Sequence, residues 1–146
     1  MKRYQSILAL ILAFCATLLV SCSTPAAAPP VYTPTQVEQI QLHAPAILAV
    51  RDRMPELGAL IQNQERQRIM SFIRGPFGDL RRDMNELALN LAPSDQKAAK
   101  KIAKNLFNHL VNIDLAARDE NYALARSNYT LVLDDFEQFL KYVPES

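Results

Sequence analysis

The stretch MSFIRGPFGDLRRDMNELALNL, residues 70–91, carries the clearest structural signal in this 146-residue chain. Its apolar residues recur at spacings of three and four, which places them on one face of a helix. They are Met70, Ile73, Phe77, Leu80, Met84, Leu87 and Leu91. The spacing continues across Gly75 and Pro76, so it predicts one helix over about 64–91, bent near Pro76. Gly and Pro together cost about 4 kcal/mol inside a helix. A plain structural kink is the favoured interpretation, although such a cost also invites a functional reason.

The segment upstream predicts a first helix over about 35–53, with a continuation to about 62. Thr33 can cap it, Pro34 suits the first helical position, and Gln36 completes a capping box. Pro45 and Pro55 are expected to kink or interrupt it. The apolar face comprises Val37, Ile40, Ala44, Ile47, Val50, Met54, Leu57 and Ile61.

Two further helices follow downstream. Ala92-Pro93-Ser94 ends the second helix and starts the third, with Ser94 as its N-cap, and the fourth runs from about 120 to just before Pro144. The third buries Ala98, Ile102, Leu106 or Phe107, Leu110, Ile113 and Ala117; the fourth buries Tyr122, Ala125, Tyr129, Val132, Phe136, Phe139 and Val143. Because the connections are short, neighbouring helices should be antiparallel. The sequence therefore predicts an all-α fold, an up-down four-helix bundle with an extended proline-rich N-terminal tether.

The first residues indicate export. Lys2 and Arg3 precede an apolar run that ends at Ser21-Cys22, a pattern typical of a bacterial lipoprotein signal peptide. We expect a signal peptide over 1–21, a tether over 22–33 lipidated on Cys22, and the bundle over 34–146. An uncleaved N-terminal anchor is the alternative, although the run is short for a membrane span of about 20 residues.

Composition narrows the function further. Without Lys2 and Arg3, the 16 basic residues become 14 against 15 acidic ones. A near-neutral protein does not suit generic nucleic-acid binding or a polybasic membrane-surface mode. Both cysteines lie in the N-terminal segment, so no thiol is left for a disulfide or a thiolate metal site. A basic cluster formed by Lys97, Lys100, Lys101 and Lys104 stands out from this balance.

The sequence offers no motif for catalysis. It lacks the Glu-x-x-His pair of bundle di-iron sites, a nucleophile elbow and a phosphate-binding glycine loop. His43 and His109 are the only histidines. A zinc site using one of them with a carboxylate is chemically possible, but two isolated histidines are usually surface or boundary residues. We expect no enzyme activity and no cofactor beyond the lipid on Cys22, with zinc at most adventitious.

The segment around the bend suggests a binding surface. Arg74 and Arg81 lie two helical turns apart and share a face if the bend is mild. Arginine forks suit partner carboxylates and carbonyls. Equally, Arg82 can pair with Asp79 or with Glu86 along its own helix. Both interpretations stay open at this point.

The lipobox, the tether, the bundle and the run RGPFGDLRRDM over 74–84 together resemble the cyanobacterial PsbQ-like family, or CyanoQ. The resemblance covers essentially the whole mature chain, and that run is its most specific part. It implies a lipid-anchored extrinsic subunit on the lumenal side of the thylakoid membrane. Such a subunit docks on photosystem II and on other extrinsic subunits, and it stabilises the oxygen-evolving complex without catalysis. Support of the manganese-calcium cluster would be indirect.

Within that resemblance, the residues expected to dock are Arg74, Gly75, Pro76, Arg81, Arg82 and Asp83. The family pattern does not assign His43 or His109 as metal ligands. The alternatives are a generic exported helical lipoprotein, such as an envelope adaptor or chaperone, and a metal-storage or enzymatic bundle.

Overall fold

The computed structural model describes residues 32–143. Six helical segments follow one another: α1 (Pro34–Asp52), α2 (Met54–Gln62), α3 (Arg66–Arg74), α4 (Phe77–Asn90), α5 (Pro93–Arg118) and α6 (Tyr122–Leu140). They form four arms, since α1 with α2 make the first, α3 with α4 the second, and α5 and α6 the third and fourth. Each arm packs on its neighbours in chain order, and α2 of the first arm also packs on α6 of the fourth. The predicted all-α four-helix bundle is confirmed.

The start of α1 follows the predicted chemistry. The Thr33 backbone N–H donates to Gln36 Oε1 at 3.0 Å, and the Thr33 hydroxyl accepts from the Gln36 backbone N–H at 3.3 Å. This reciprocal capping box satisfies two backbone donors at the helix start. The helix continues through Pro45 to Asp52, so the expected interruption there does not occur. The break comes instead at Arg53, just before Pro55, which has no N–H for a helical bond.

The phase prediction across the bend was wrong. Gly75 and Pro76 separate two helices, and the residues fully buried upstream are Ile69 and Phe72. Ile73 is only partly buried against the core, and Met70 is half-buried. From Phe77 onward the predicted face is correct. The break therefore shifts the buried face of α3 by one residue, which a continuous helical repeat cannot show.

The start of α5 was also misassigned. Ala92 occupies the N-cap position and Pro93 the first turn, so Ser94 lies inside the helix. The buried alanine near this end is Ala99 rather than Ala98, whereas both Leu106 and Phe107 are buried.

In two turns at one end of the bundle, a residue other than glycine adopts the left-handed backbone conformation. Gln64 has φ 59° and Glu120 has φ 55°. After α2, the Glu65 N–H donates to the Leu60 carbonyl; after α5, the Asn121 N–H donates to the Ala116 carbonyl. These are the 6→1 bonds of Schellman motifs, which satisfy carbonyls at a helix C-terminus. Tyr122 joins the two turns, because its hydroxyl donates to the Gln64 carbonyl at 3.1 Å.

The core runs the length of the bundle. Its largest fully buried side chains are Phe136, Phe139, Ile40, Ile47, Met54, Leu57, Ile61, Ile69, Leu80, Met84, Leu87 and Leu91. Between residues 32 and 143, no helix combines the length and the apolar character needed to cross a bilayer.

Candidate docking surface

The segment around Gly75 and Pro76 presents its arginines on the outside of the second arm. The Arg74 side chain is 61% exposed and the Arg82 side chain 65% exposed. Gly75 ends α3, where its N–H donates to the Ser71 carbonyl at 3.1 Å. Pro76 precedes α4 with φ −65°, the value its ring imposes. The break thus fixes the direction in which α4 carries Arg81 and Arg82.

Arg74 points to α5. Its Nη2 lies 3.7 Å from Asp114 Oδ1, and Asp114 Oδ2 accepts from Arg118 Nη2 at 3.1 Å. Asp114 Oδ1 is buried and accepts no hydrogen bond from residues 32–143. The positive charge of the Arg74 guanidinium, 3.7 Å away, is therefore its electrostatic partner. Pairs this exposed contribute about 0–1 kcal/mol to stability.

Arg81 faces the same helix but meets an aromatic ring. Its guanidinium carbon lies 4.1 Å from the centroid of Phe107 on α5. In the described part of the chain, no carboxylate forms an ion pair with it. Arg74 on α3 and Arg81 on α4 thus both contact α5, although the break at Gly75 and Pro76 places them on separate helices and the mild bend assumed for a shared face does not occur.

Arg82 is engaged by carboxylates of its own helix. It lies 3.4 Å from Asp79 Oδ1 and 3.6 Å from Asp83 Oδ1. Of the two intrahelical partners that the sequence allowed, Asp79 is the one used. The docking and ion-pair interpretations thus divide by residue: Arg82 and Arg74 make internal pairs, whereas Arg81 forms no ion pair within residues 32–143.

Asp83 lies on the inner side of α4. The residue is only 7% exposed, and its Oδ1 lies 3.1 Å from Nδ1 of His43 on α1. The contact bridges the first and second arms. This position gives Asp83 a direct role in holding the bundle together, while its role toward a partner stays a prediction.

His109 forms a second histidine–aspartate contact. Its Nδ1 lies 2.8 Å from Asp135 Oδ2, so its partner is on α6. Burial raises the pKa of the Asp135 carboxyl, and the His109 hydrogen bond opposes that rise. Over residues 32–143, no group of three or more His, Cys, Asp or Glu side chains is placed to hold a metal ion.

A groove between α4 and α5 is lined by two groups of residues that are distant in the sequence. It encloses about 470 Å³. Its walls are formed by Gly78, Arg81, Arg82, Asn85, Lys100, Ala103, Lys104 and Phe107. We call it the basic groove. In the sequence, Lys100 and Lys104 belong to a basic cluster separate from the arginines. Their i, i+4 spacing predicts that they share one face of α5, but it does not predict which arginines of α4 lie opposite them.

The predicted lipidation residue, Cys22, lies outside the described residues, so the lipid anchor and the tether stay predictions.

Comparison with known proteins supplies the context for this surface. Residues 3–144 match the family described as PsbQ, oxygen evolving enhancer protein 3. A protein named CyanoQ, from Synechocystis sp. (strain ATCC 27184 / PCC 6803 / Kazusa), is 42% identical over 148 residues, spanning 100% of this chain and 99% of that protein.

Proposed function

The chain belongs to the PsbQ family of oxygen-evolving enhancer proteins, and from this premise we propose that it is an extrinsic subunit of photosystem II on the lumenal side of the thylakoid membrane. The observation that carries the proposal is the full-length identity of 42% to CyanoQ. That identity extends over the whole of this chain and 99% of CyanoQ, so it includes the entire bundle. We propose that the protein acts by binding and has no catalytic activity of its own.

The physical role we propose is stabilisation by docking. A bundle whose arms are joined by buried apolar side chains and by the His43–Asp83 and His109–Asp135 contacts presents a defined surface. Binding by such a preorganised surface loses little conformational entropy. Docking would order neighbouring lumenal subunits and limit solvent access to the oxygen-evolving complex, so its support of the manganese-calcium cluster is indirect.

We also propose that a lipid on Cys22 tethers the bundle to the membrane. The proline-rich stretch over 23–32 suits a semi-extended spacer. Tethering raises the local concentration of the bundle near a membrane complex, which strengthens binding without new contacts.

The test is copurification. A full-length chain carrying a C-terminal affinity tag should recover photosystem II core subunits from detergent-solubilised thylakoids. Recovery with outer-membrane proteins and without photosystem subunits would contradict the proposal and favour a generic envelope lipoprotein. Mass spectrometry of the tagged chain measures the lipid on Cys22 in the same preparation.

A further inference from the structure

Three of the seven Lys and Arg side chains that form no ion pair within residues 32–143 line the basic groove. In the described chain, seven arginines lie within 4.0 Å of a carboxylate oxygen: Arg51, Arg53, Arg66, Arg68, Arg74, Arg82 and Arg118. Arg81, Lys100 and Lys104 have no such partner among residues 32–143, and all three line the groove. Its walls include no Asp or Glu. The groove therefore holds positive charge that the bundle itself does not neutralise.

The groove also has an organised floor. Phe107 is 5% exposed, and the Arg81 guanidinium lies over its ring. A guanidinium stacked on an aromatic ring keeps its N–H edges available to an anion. Gly78 and Ala103 lie beside the ring, and their small size leaves room for the backbone of a ligand to approach.

We propose that the basic groove binds an acidic, extended segment of a partner polypeptide. Carboxylates of the segment would pair with Arg81, Lys100 and Lys104, while its backbone would lie along the floor. This inference rests on the proposed function, because it supplies the chemistry of the partner surface on the lumenal side of photosystem II.

The spacing of the cations favours this occupant. Lys100 and Lys104 are one helical turn apart, about 6 Å along α5. In an extended chain, side chains on one side recur at about 6.6 Å. Alternate carboxylates can therefore meet successive lysines. A flat bilayer surface is a poorer fit, because the floor of the groove is recessed between two helices.

A binding assay on the full chain tests the proposal. The probe is a fluorescein-labelled decapeptide of alternating Glu and Ser, with alternating Gln and Ser as its neutral counterpart, followed by fluorescence anisotropy at low salt. We compare Lys100→Glu/Lys104→Glu with Arg126→Glu/Lys141→Glu. The control pair makes the same charge change at exposed cations that form no ion pair in the described chain and lie away from the basic groove. Circular dichroism verifies that both variants keep their helices.

The expected result is binding of the Glu peptide alone, weakened about tenfold or more by the groove variant and about twofold or less by the control pair. Equal weakening in both variants would overturn the proposal, since net charge would then explain it. An unchanged affinity in the groove variant would also overturn it. So would groove-dependent capture of phosphatidylglycerol vesicles without peptide binding, because the occupant would then be a lipid.

The same proteins, added to photosystem II particles, separate the two claims. If the wild-type chain binds the peptide but not the particles, the proposed function fails and the groove chemistry stands. If it binds the particles equally well with and without the groove substitutions, the groove inference fails and the proposed function stands.

Discussion

At Asp135, burial and the neighbouring His109 act on the carboxyl pKa in opposite directions. It is 6% exposed, its pKa is raised by burial, and its hydrogen bond to His109 opposes that effect. Between the ordinary aspartate pKa and the raised one, the folded state binds more protons than the unfolded state. The free energy of unfolding should therefore fall as pH rises through that interval.

Asp135→Asn should remove this pH dependence. The amide oxygen can still accept from His109, while the cost of a buried charge disappears. We expect the variant to be more stable than the wild type at pH 7 and nearly equal to it below pH 3.8, the ordinary aspartate value. Urea unfolding across pH measures this, with Asp119→Asn at an exposed position just after α5 as the control. A stability difference that does not change with pH would contradict the assignment.

Substitution of Gln64 measures how much the left-handed backbone conformation of a non-glycine residue costs in folding free energy. Its φ of 59° is unfavourable for a side chain with a Cβ by about 1–2 kcal/mol, whereas glycine adopts it freely at some cost in unfolded-state entropy. Gln64→Gly should raise the free energy of unfolding by about 0.5–1 kcal/mol. Ala59→Gly, at an exposed position inside α2, should lower it by about 1 kcal/mol. Thermal unfolding compares the two; destabilisation by both would show that the turn is not strained.

At the scale of elements, Gly58 lies where α2 contacts α6. A Cβ at Gly58 would lie 2.8 Å from the Tyr129 hydroxyl, which donates to the Met54 carbonyl at 3.0 Å. Gly58→Ala gains helix propensity but crowds this contact, so we expect a net loss of about 1 kcal/mol.

Gly78 provides the matched control for that substitution. It lies in α4, and a Cβ there would meet nothing within 4 Å. Gly78→Ala should therefore stabilise the protein, by at most about 1 kcal/mol because Gly78 lies in the first turn of α4. Chemical denaturation of both variants distinguishes the cases: equal gains would mean that α2 and α6 do not approach as closely as the structure places them.

The elements differ in how far the sequence could predict them. The cap at Thr33 and the buried face of α4 are encoded locally, in hydrogen-bonding side chains and in a regular repeat, so both were predicted correctly. The spacing of apolar residues did not predict the buried face upstream of Gly75 and Pro76. A helix break shifts the buried face by one residue, and the spacing of apolar residues does not reveal that shift. The N-cap at Ala92 was missed because Ser94 is chemically the better cap, whereas Pro93 fixes the actual start.

The candidate site was less predictable, because it depends on contacts distant in sequence. That Arg74 meets Asp114, or that His109 meets Asp135, follows from the packing of arms and not from helical spacing. The basic groove combines residues of α4 with residues of α5 in the same way. What the sequence did supply was the choice of Arg81 and Arg82 as exposed cations on one arm.

At the scale of the whole molecule, a near-neutral protein can still bind through charge if that charge is unevenly distributed. Most of its arginines are neutralised internally, and the basic groove is not. Salt should therefore weaken docking strongly, because exposed charge pairs are screened as the Debye length falls to about 3 Å at 1 M.

The most direct test is retention of the full chain on photosystem II particles after Arg81→Glu/Arg82→Glu. The account predicts release of this variant at low salt with its helical circular dichroism unchanged, whereas Arg126→Glu/Lys141→Glu, with the same change in net charge, stays bound until a high-salt wash. Retention of the Arg81→Glu/Arg82→Glu variant at low salt, equal to that of the wild type, would contradict it.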